Sequence, residues 1–319
     1  MQKPLVSIII PSFNSEKYIA LAIESVLKQT YRNCEIIVID DGSSDSSFKI
    51  ASEYARRGQI KILHHSNFEN KGVSKTRHLG IMEATGEYIA FLDSDDFFEE
   101  DKIEKQIVAL ESNRNYILCH TAIKPISETA AQADFVGHFN ISEDVLAYNY
   151  QECEDFLLSN HVCNSSVMVR SSILKQINFC SRQIFQYEDW VLWVLLSEHG
   201  KFLYLPDELL NYRFHENSAT YKVVSNRLIN HYSSLEFCLM LIAKTNNKDI
   251  ALKALQLSKK QILEICKIYG NGKTCQFDSF FENTEEKERQ LNELLCSYSW
   301  KITAPLRGIL DVITKRGRD

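Results

Sequence analysis

The residues best suited to chemistry are acids that stop apolar runs. Glu87-Tyr-Ile-Ala-Phe-Leu-Asp-Ser-Asp-Asp-Phe-Phe98 has the composition of a buried strand until Asp93, Ser94, Asp95 and Asp96 interrupt it. In extended chain, residues i and i+2 point the same way, so Asp93 and Asp95 can face one ligand. Their repulsion is costly unless a cation or hydroxyl donors lie between them. A Mg²⁺ or Mn²⁺ ion, which takes one or two carboxylates together with phosphate oxygens and water, meets that need. The plainer alternative is a solvated acidic turn ahead of a helix. A second apolar run, Cys34-Glu-Ile-Ile-Val-Ile-Asp40, also ends in acid and passes into Asp41-Gly42-Ser43-Ser44-Asp45, where glycine permits a tight turn and a Ser or Asp can cap the next helix.

Strands and helices must bring these acids together. Residues 5–10 form a continuous β-branched run closed by Pro11-Ser12-Phe13-Asn14, a buried strand and its turn. Tyr18, Ile19, Ala22, Ile23, Val26 and Leu27 recur at helical spacing, with Ser15 placed as N-cap. A weaker strand at 60–64, a polar loop at 67–72, a helix over 73–84 and Gly86 lead into the central strand. This alternation predicts an α/β fold with a mostly parallel twisted sheet flanked by helices. Right-handed crossovers would gather the strand ends on one edge, where such sheets bind ligands. Beyond it the pattern gives a helix at 101–112, a strand at 116–120, an irregular polar region at 124–149 and a helical signal at 152–158. Then follow a strand at 165–170, an apolar helix opened by Gln186-Tyr-Glu-Asp-Trp190, and short strands at 202–205 and 210–215. From about residue 223 the pattern is helical, at 223–244, 247–269 and 285–298. The expected division is a domain over 1–222 and a C-terminal helical extension over 223–319.

The chain has 319 residues, 45% hydrophobic and 24% charged, ordinary for a globular protein of one large domain plus an extension. A net charge of −6 argues against nucleic acid as a partner. Leu5 to Ile10 is too short for a signal peptide core, and no run reaches the length of a membrane span. Nine cysteines, none in a Cys-x-x-Cys pair, read as small hydrophobes in a reducing compartment, which implies the cytoplasm.

Pro11-Ser-Phe-Asn14, Asp40-Asp41-Gly-Ser, Phe91-Leu-Asp-Ser-Asp-Asp96, Tyr187-Glu-Asp189 and Tyr212-Arg-Phe-His215, in this order, resemble family 2 glycosyltransferases, inverting enzymes of the GT-A nucleotide-sugar fold. The likeness covers about residues 3–220. It implies that Pro11, Ser12, Phe13, Asn14 and Asp41 hold the nucleobase, and a carboxylate can indeed accept the imide N–H of uracil. A purely structural Asp41 that caps the following helix is the alternative. Asp93 and Ser94 then lie at the ribose or the metal's surroundings, Asp95 is the direct metal ligand, and His215 reaches the metal or the diphosphate. A surface His215 is the bland reading. Arg77 matches the Arg of the family's Ala-Arg-Asn segment, although His78 departs from its Asn. Arg77 faces the diphosphate, pins the Asp93–Asp96 loop, or only forms a structural ion pair.

Inversion is a single displacement needing one base for the acceptor hydroxyl. The resemblance makes Asp189 that base, with Glu188 holding acceptor or loop and Arg213 ordering its loop. The alternative is that two acids merely favour the first turn of a helix. A second departure is the missing Pro after the acidic turn, which alters loop stiffness more than chemistry.

The implied activity is metal-dependent transfer of a hexosyl or N-acetylhexosaminyl group from a nucleoside diphosphate, UDP first, to a hydroxyl of a glycan or lipid-linked glycan in polysaccharide biosynthesis. Two rivals stand beside it. A sugar nucleotidyltransferase would want a Gly- and Arg-rich phosphate loop that residues 11–14 lack, and a non-catalytic scaffold would not need Asp41, Asp95 and Asp189 together. No Gly-x-Gly-x-x-Gly follows the first strand, which argues against a dinucleotide-binding oxidoreductase. The tail, with Trp300 and the basic Lys315, Arg316 and Arg318, resembles the end of many bacterial surface-polysaccharide glycosyltransferases. It can lie on the anionic inner face of the cell membrane, pack on its own domain, or meet a second subunit of a homo-oligomer.

Overall fold

The first strand, β1 (Val6–Ser12), is buried along its whole length, and no solvent reaches Ile8, Ile9 or Ile10. A strand covered on both faces needs apolar side chains on both, so its sequence is continuous rather than alternating. Each buried isoleucine contributes about 1.5–3 kcal/mol. The computed structural model describes residues 3–127, 160, 162–177, 187–215, 218 and 227–269.

Three further strands run parallel to β1: β2 (Cys34–Asp40), β3 (Lys61–His64) and β4 (Tyr88–Phe91), in the order β3-β2-β1-β4. Their connections carry α1 (Ile19–Leu27), α2 (Ser47–Arg56) and α3 (Val73–Glu83). Ile19, Ala22, Ile23 and Val26 form the buried stripe of α1. Ser15 does not cap that helix. Tyr18 occupies the N-cap without a side-chain bond, while the Ser15 carbonyl accepts the N–H groups of Tyr18 and Ile19 at 2.9 Å. α3 comes unusually close to the sheet because a Cβ on Gly80 would lie 2.6 Å from Ile9 Cγ2 and 2.8 Å from Ile39 Cδ1.

The other half of the eight-stranded sheet is mixed. After β5 (Phe97–Phe98), α4 (Lys102–Ser112) and β6 (Tyr116–Ser127), the short β7 (Met168–Arg170) runs antiparallel between β4 and β6. β8 (Lys201–Phe214) lies parallel to β6 and carries β5 at the edge. The two short strands expected at 202–205 and 210–215 are therefore one. The register against β6 jumps from Leu205 to Glu208, so the strand bulges around Pro206, which has no N–H to give to a ladder. Likewise β6 continues to Ser127, past the expected end at 120, because β8 pairs with it as far as Phe214.

α5 (Ser171–Ile177) and α6 (Glu188–Ser197) complete the part that positions the site. The chain divides into two compact units, Met1–Phe237 and Cys238–Asp319. Helix α7 (Arg227–Lys244) ends in the second, which also holds α8 (Lys248–Tyr269). Among the described residues no helix is long and apolar enough to cross a membrane. The helical signals at 152–158 and 285–298, most of the region 124–149, and the basic tail fall outside the described residues.

Candidate active site

The carboxyl ends of β1, β2 and β4 open on one edge of the sheet, and the predicted residues of all three lie there. On β2, Asp40 is almost fully buried, and one of its carboxylate oxygens accepts the N–H groups of Gly42 (3.1 Å) and Ser43 (3.0 Å). Asp41 is equally buried, and its carboxylate accepts Lys71 N–H at 2.7 Å and Gly72 N–H at 3.0 Å, closing the loop before α3. Gly42 adopts φ +78°, and a Cβ there would lie 2.5 Å from the Phe68 carbonyl oxygen.

The turn after β1 is laced to the turn after β2. Asn14, at φ 48°, donates its N–H to Ser43 Oγ (3.0 Å) and accepts the Ser44 N–H (2.8 Å) on its side-chain oxygen. Ser15 N–H donates to Ser47 Oγ (2.7 Å), Glu16 N–H to Asp45 (3.1 Å), and Ser46 N–H to Glu16 (2.9 Å). Pro11 and Ser12 are buried beneath this lacing and Ser12 Oγ sits 2.9 Å from Ser15 Oγ, whereas Phe13 is half exposed.

After β4 the chain turns tightly, with Asp96 N–H donating to the Asp93 carbonyl (3.1 Å) and Ser94 half-buried between them. The three acids of this turn have different partners. Asp93 accepts Arg77 Nη2 at 2.8 Å and Asn164 Nδ2 at 3.2 Å. Asp95 Oδ2 lies 2.9 Å from His215 Nε2, and its carbonyl accepts Arg213 Nε at 3.0 Å. Asp96 is buried and accepts the Ser165 hydroxyl (2.7 Å) and the Arg213 N–H (2.8 Å). Burial, reinforced by Asp95 and Asp93, raises the Asp96 carboxyl well above the usual range. Tyr18 joins this group to the β1 turn, since its ring lies 5.6 Å from the His215 ring and the Arg213 guanidinium sits 4.8 Å above it.

At the start of α6, Glu188 accepts Arg77 Nη1 at 2.5 Å and Asp189 accepts the Trp190 N–H at 2.7 Å. A crevice beside them is lined by Arg77, His78, Phe91, Asn164 and Asp189. Desolvation and the neighbouring Glu188 charge push the Asp189 carboxyl up to about 7, although Arg77 pulls the other way. Burial alone would lower the Arg77 guanidinium, but Asp93 and Glu188 more than offset it and hold the cation firmly charged.

Thus Arg77, Asp93, Glu188 and Asp189 form one cluster, and Asp95, Arg213 and His215 another, joined through the Asp93–Asp96 turn. Asp41 stands at the same sheet edge with its oxygens engaged by main-chain donors. The sequence reading passed over Asn164 and Ser165. Ser165 Oγ accepts the Asp93 N–H (3.0 Å) and donates to Asp96, so it sets the shape of the acidic turn. The available signal was three polar residues, Asn164, Ser165 and Ser166, inside an apolar stretch, all of them buried. Lys102 was also passed over. It is fully buried, donates to Gln106 Oε1 (2.7 Å), lies 4.1 Å from the centre of the Phe98 ring, and is lowered by burial to about 7.

Residues 7–177 match the model of glycosyl transferase family 2. The chain belongs to that family. An uncharacterized glycosyltransferase of Rickettsia felis is 34% identical over 216 residues, covering 68% of this chain and 34% of that protein, so the chain spans about a third of the length of the first curated relatives it matches. S. aureus TarS 1-349 in complex with UDP-GlcNAc superposes with a TM-score of 0.61 at 15% identity, over 91% of this chain and 81% of that one. The mannosyltransferase PcManGT from Pyrobaculum calidifontis, in complex with GDP-Man and Mn²⁺, gives 0.57 at 12% identity, over 94% and 82%. These likenesses establish the GT-A type of fold.

Proposed function

We propose that this family 2 glycosyltransferase is an inverting enzyme that moves a sugar from a nucleoside diphosphate, UDP in the first instance, to a hydroxyl of a glycan or lipid-linked glycan. The observation that carries this reading is the place of Asp189: at the start of α6 it lines the crevice together with Arg77 and Glu188, and desolvation there raises its carboxyl, which suits a general base for an acceptor hydroxyl. An aspartate of ordinary pKa would be a much weaker base.

The donor side is built from Pro11 to Asn14 and Asp41 at the base, with Asp93 and Ser94 toward the ribose. TarS with UDP-GlcNAc supports a nucleotide-sugar as the ligand class. The residues present fit a divalent cation, since a carboxylate oxygen of Asp95 and an imidazole nitrogen of His215, now 2.9 Å apart and paired with each other, are both donors that such an ion accepts. Among the described residues no set of three His, Cys, Asp or Glu side chains could hold a metal, so diphosphate and water would have to complete the shell of any ion held here. When bound, such an ion neutralises the departing diphosphate. Asp95 and His215 would hold it, Arg213 steadies the Asp95 backbone, and Arg77 keeps Asp93 oriented.

The division at about residue 222, the tail's contact with a membrane or a second subunit, and a cytoplasmic place of action belong to the same proposal. The deciding experiment is Asp189→Asn assayed for UDP or GDP release across a panel of nucleotide-sugars and glycan acceptors. Transfer should fall about 10²–10⁴-fold while UDP binding changes less than about twofold, under ~0.5 kcal/mol. Transfer at the native rate would remove Asp189 as the base.

A further inference from the structure

We propose that Arg77 is a positioning residue for Asp189: gripping Asp93 with one nitrogen and Glu188 with the other, it joins the acidic turn to the start of α6 and offsets the Glu188 charge beside the acceptor-side acid. The proposal rests on the reading of Asp189 as the base.

The geometry is specific. One guanidinium spans two carboxylates that are 16 and 111 residues away in the chain, at 2.8 Å and 2.5 Å. Side-chain exposure is 12% for Arg77 and 10% for Glu188, so water screens the pair weakly. Only a planar, forked cation can hold two acids in this way, and a lysine offers a single point. The close packing of α3, enforced by Gly80, fixes where Arg77 emerges.

The groups that bear on Asp189 come from every side of the crevice. Tyr187 and Glu188 directly precede it in the chain, Arg77 and His78 come from α3, Asp93 from the acidic turn, and Cys163 from the segment before Ser165. Glu188 and Asp93 favour the protonated acid, and Arg77 opposes them. Without the guanidinium, three carboxylates would crowd one poorly solvated space, and Asp189 would keep its proton at neutral pH and be idle as a base.

The test titrates the full chain without ligand, with aspartate carboxyl carbons labelled with ¹³C and the Asp189 signal identified by its loss in Asp189→Asn. The native midpoint is expected at about 7. Arg77→Gln should raise it by about one pH unit or more, Glu188→Gln should lower it by about half a unit or more, and the double variant should fall between. Arg77→Lys, which keeps the charge, should stay nearer the native midpoint than Arg77→Gln does. A structural role alone would shift melting temperature and leave the midpoints in place. Midpoints that agree within about 0.3 unit in native protein and Glu188→Gln overturn the proposal, even if Arg77→Gln does not fold. Native-rate transfer by Asp189→Asn would remove the base assignment while leaving these midpoints as they are, so the two failures are distinguishable.

Discussion

The acids at the end of β2 and those after β4 are held in opposite ways. Asp40 gives one oxygen, and Asp41 and Asp45 give both of theirs, to main-chain N–H groups, at Gly42 and Ser43, Lys71 and Gly72, and Ser47 and Glu16. They build the loops that carry them. Asp93 and Asp95 instead meet side chains from distant elements, Arg77, Asn164 and His215. The first set shapes the backbone of the donor side. The second set can exchange a protein partner for a ligand without unravelling a turn, as reacting groups require.

Four measurements would break or sharpen this contrast. The largest loss of stability is expected for Gly42→Ala, where a strained φ combines with a Cβ 2.5 Å from the Phe68 carbonyl. About 3 kcal/mol should be lost in denaturant unfolding. Asp41→Asn should cost about 1–3 kcal/mol, because an amide turns a donor toward one of two main-chain N–H groups that now meet a carboxylate. Asp95→Asn should cost less than about 1 kcal/mol, yet calorimetry should find UDP binding no longer strengthened by Mn²⁺. If Asp95→Asn destabilised as much as Asp41→Asn, the distinction between loop-building and partner-exchanging acids would collapse.

The fourth measurement concerns pH. The Asp189 carboxyl is raised in the folded protein, so between about 4 and about 7 the native state binds more protons than the unfolded chain. Its stabilising contribution is complete below the unfolded value and disappears as pH rises through about 7. Melting curves should show native protein losing stability relative to Asp189→Asn across that window and running level above it.

The same contrast explains what could be read in advance. β2 is found at Cys34–Asp40 as expected, and α3 and α4 differ from expectation by one residue, because a buried parallel strand and an amphipathic helix announce themselves locally. β7 lies within the strand expected at 165–170 but is only three residues long, because Asn164–Ser166 form a short helical turn and only Met168–Arg170 pair with β4 and β6. The expected strands at 202–205 and 210–215 are one, because the pairing of β8 with β6 carries the strand across Pro206. Acid positions were legible from strand ends, while most of their partners were not, the pairing of Arg77 with the Asp93–Asp96 turn being among the readings weighed. Nothing local in Arg77 indicates Glu188, 111 residues away, and nothing local in Asp96 indicates Ser165.

The lacing between residues 14–16 and 43–47 matters to anyone who would retune such an enzyme by transplanting a loop from a relative. Neither turn is an independent module, since each supplies the hydrogen-bond partners that keep the other in shape. A chimera that imports one alone inherits mismatched halves, so grafts at this rim should be made in pairs.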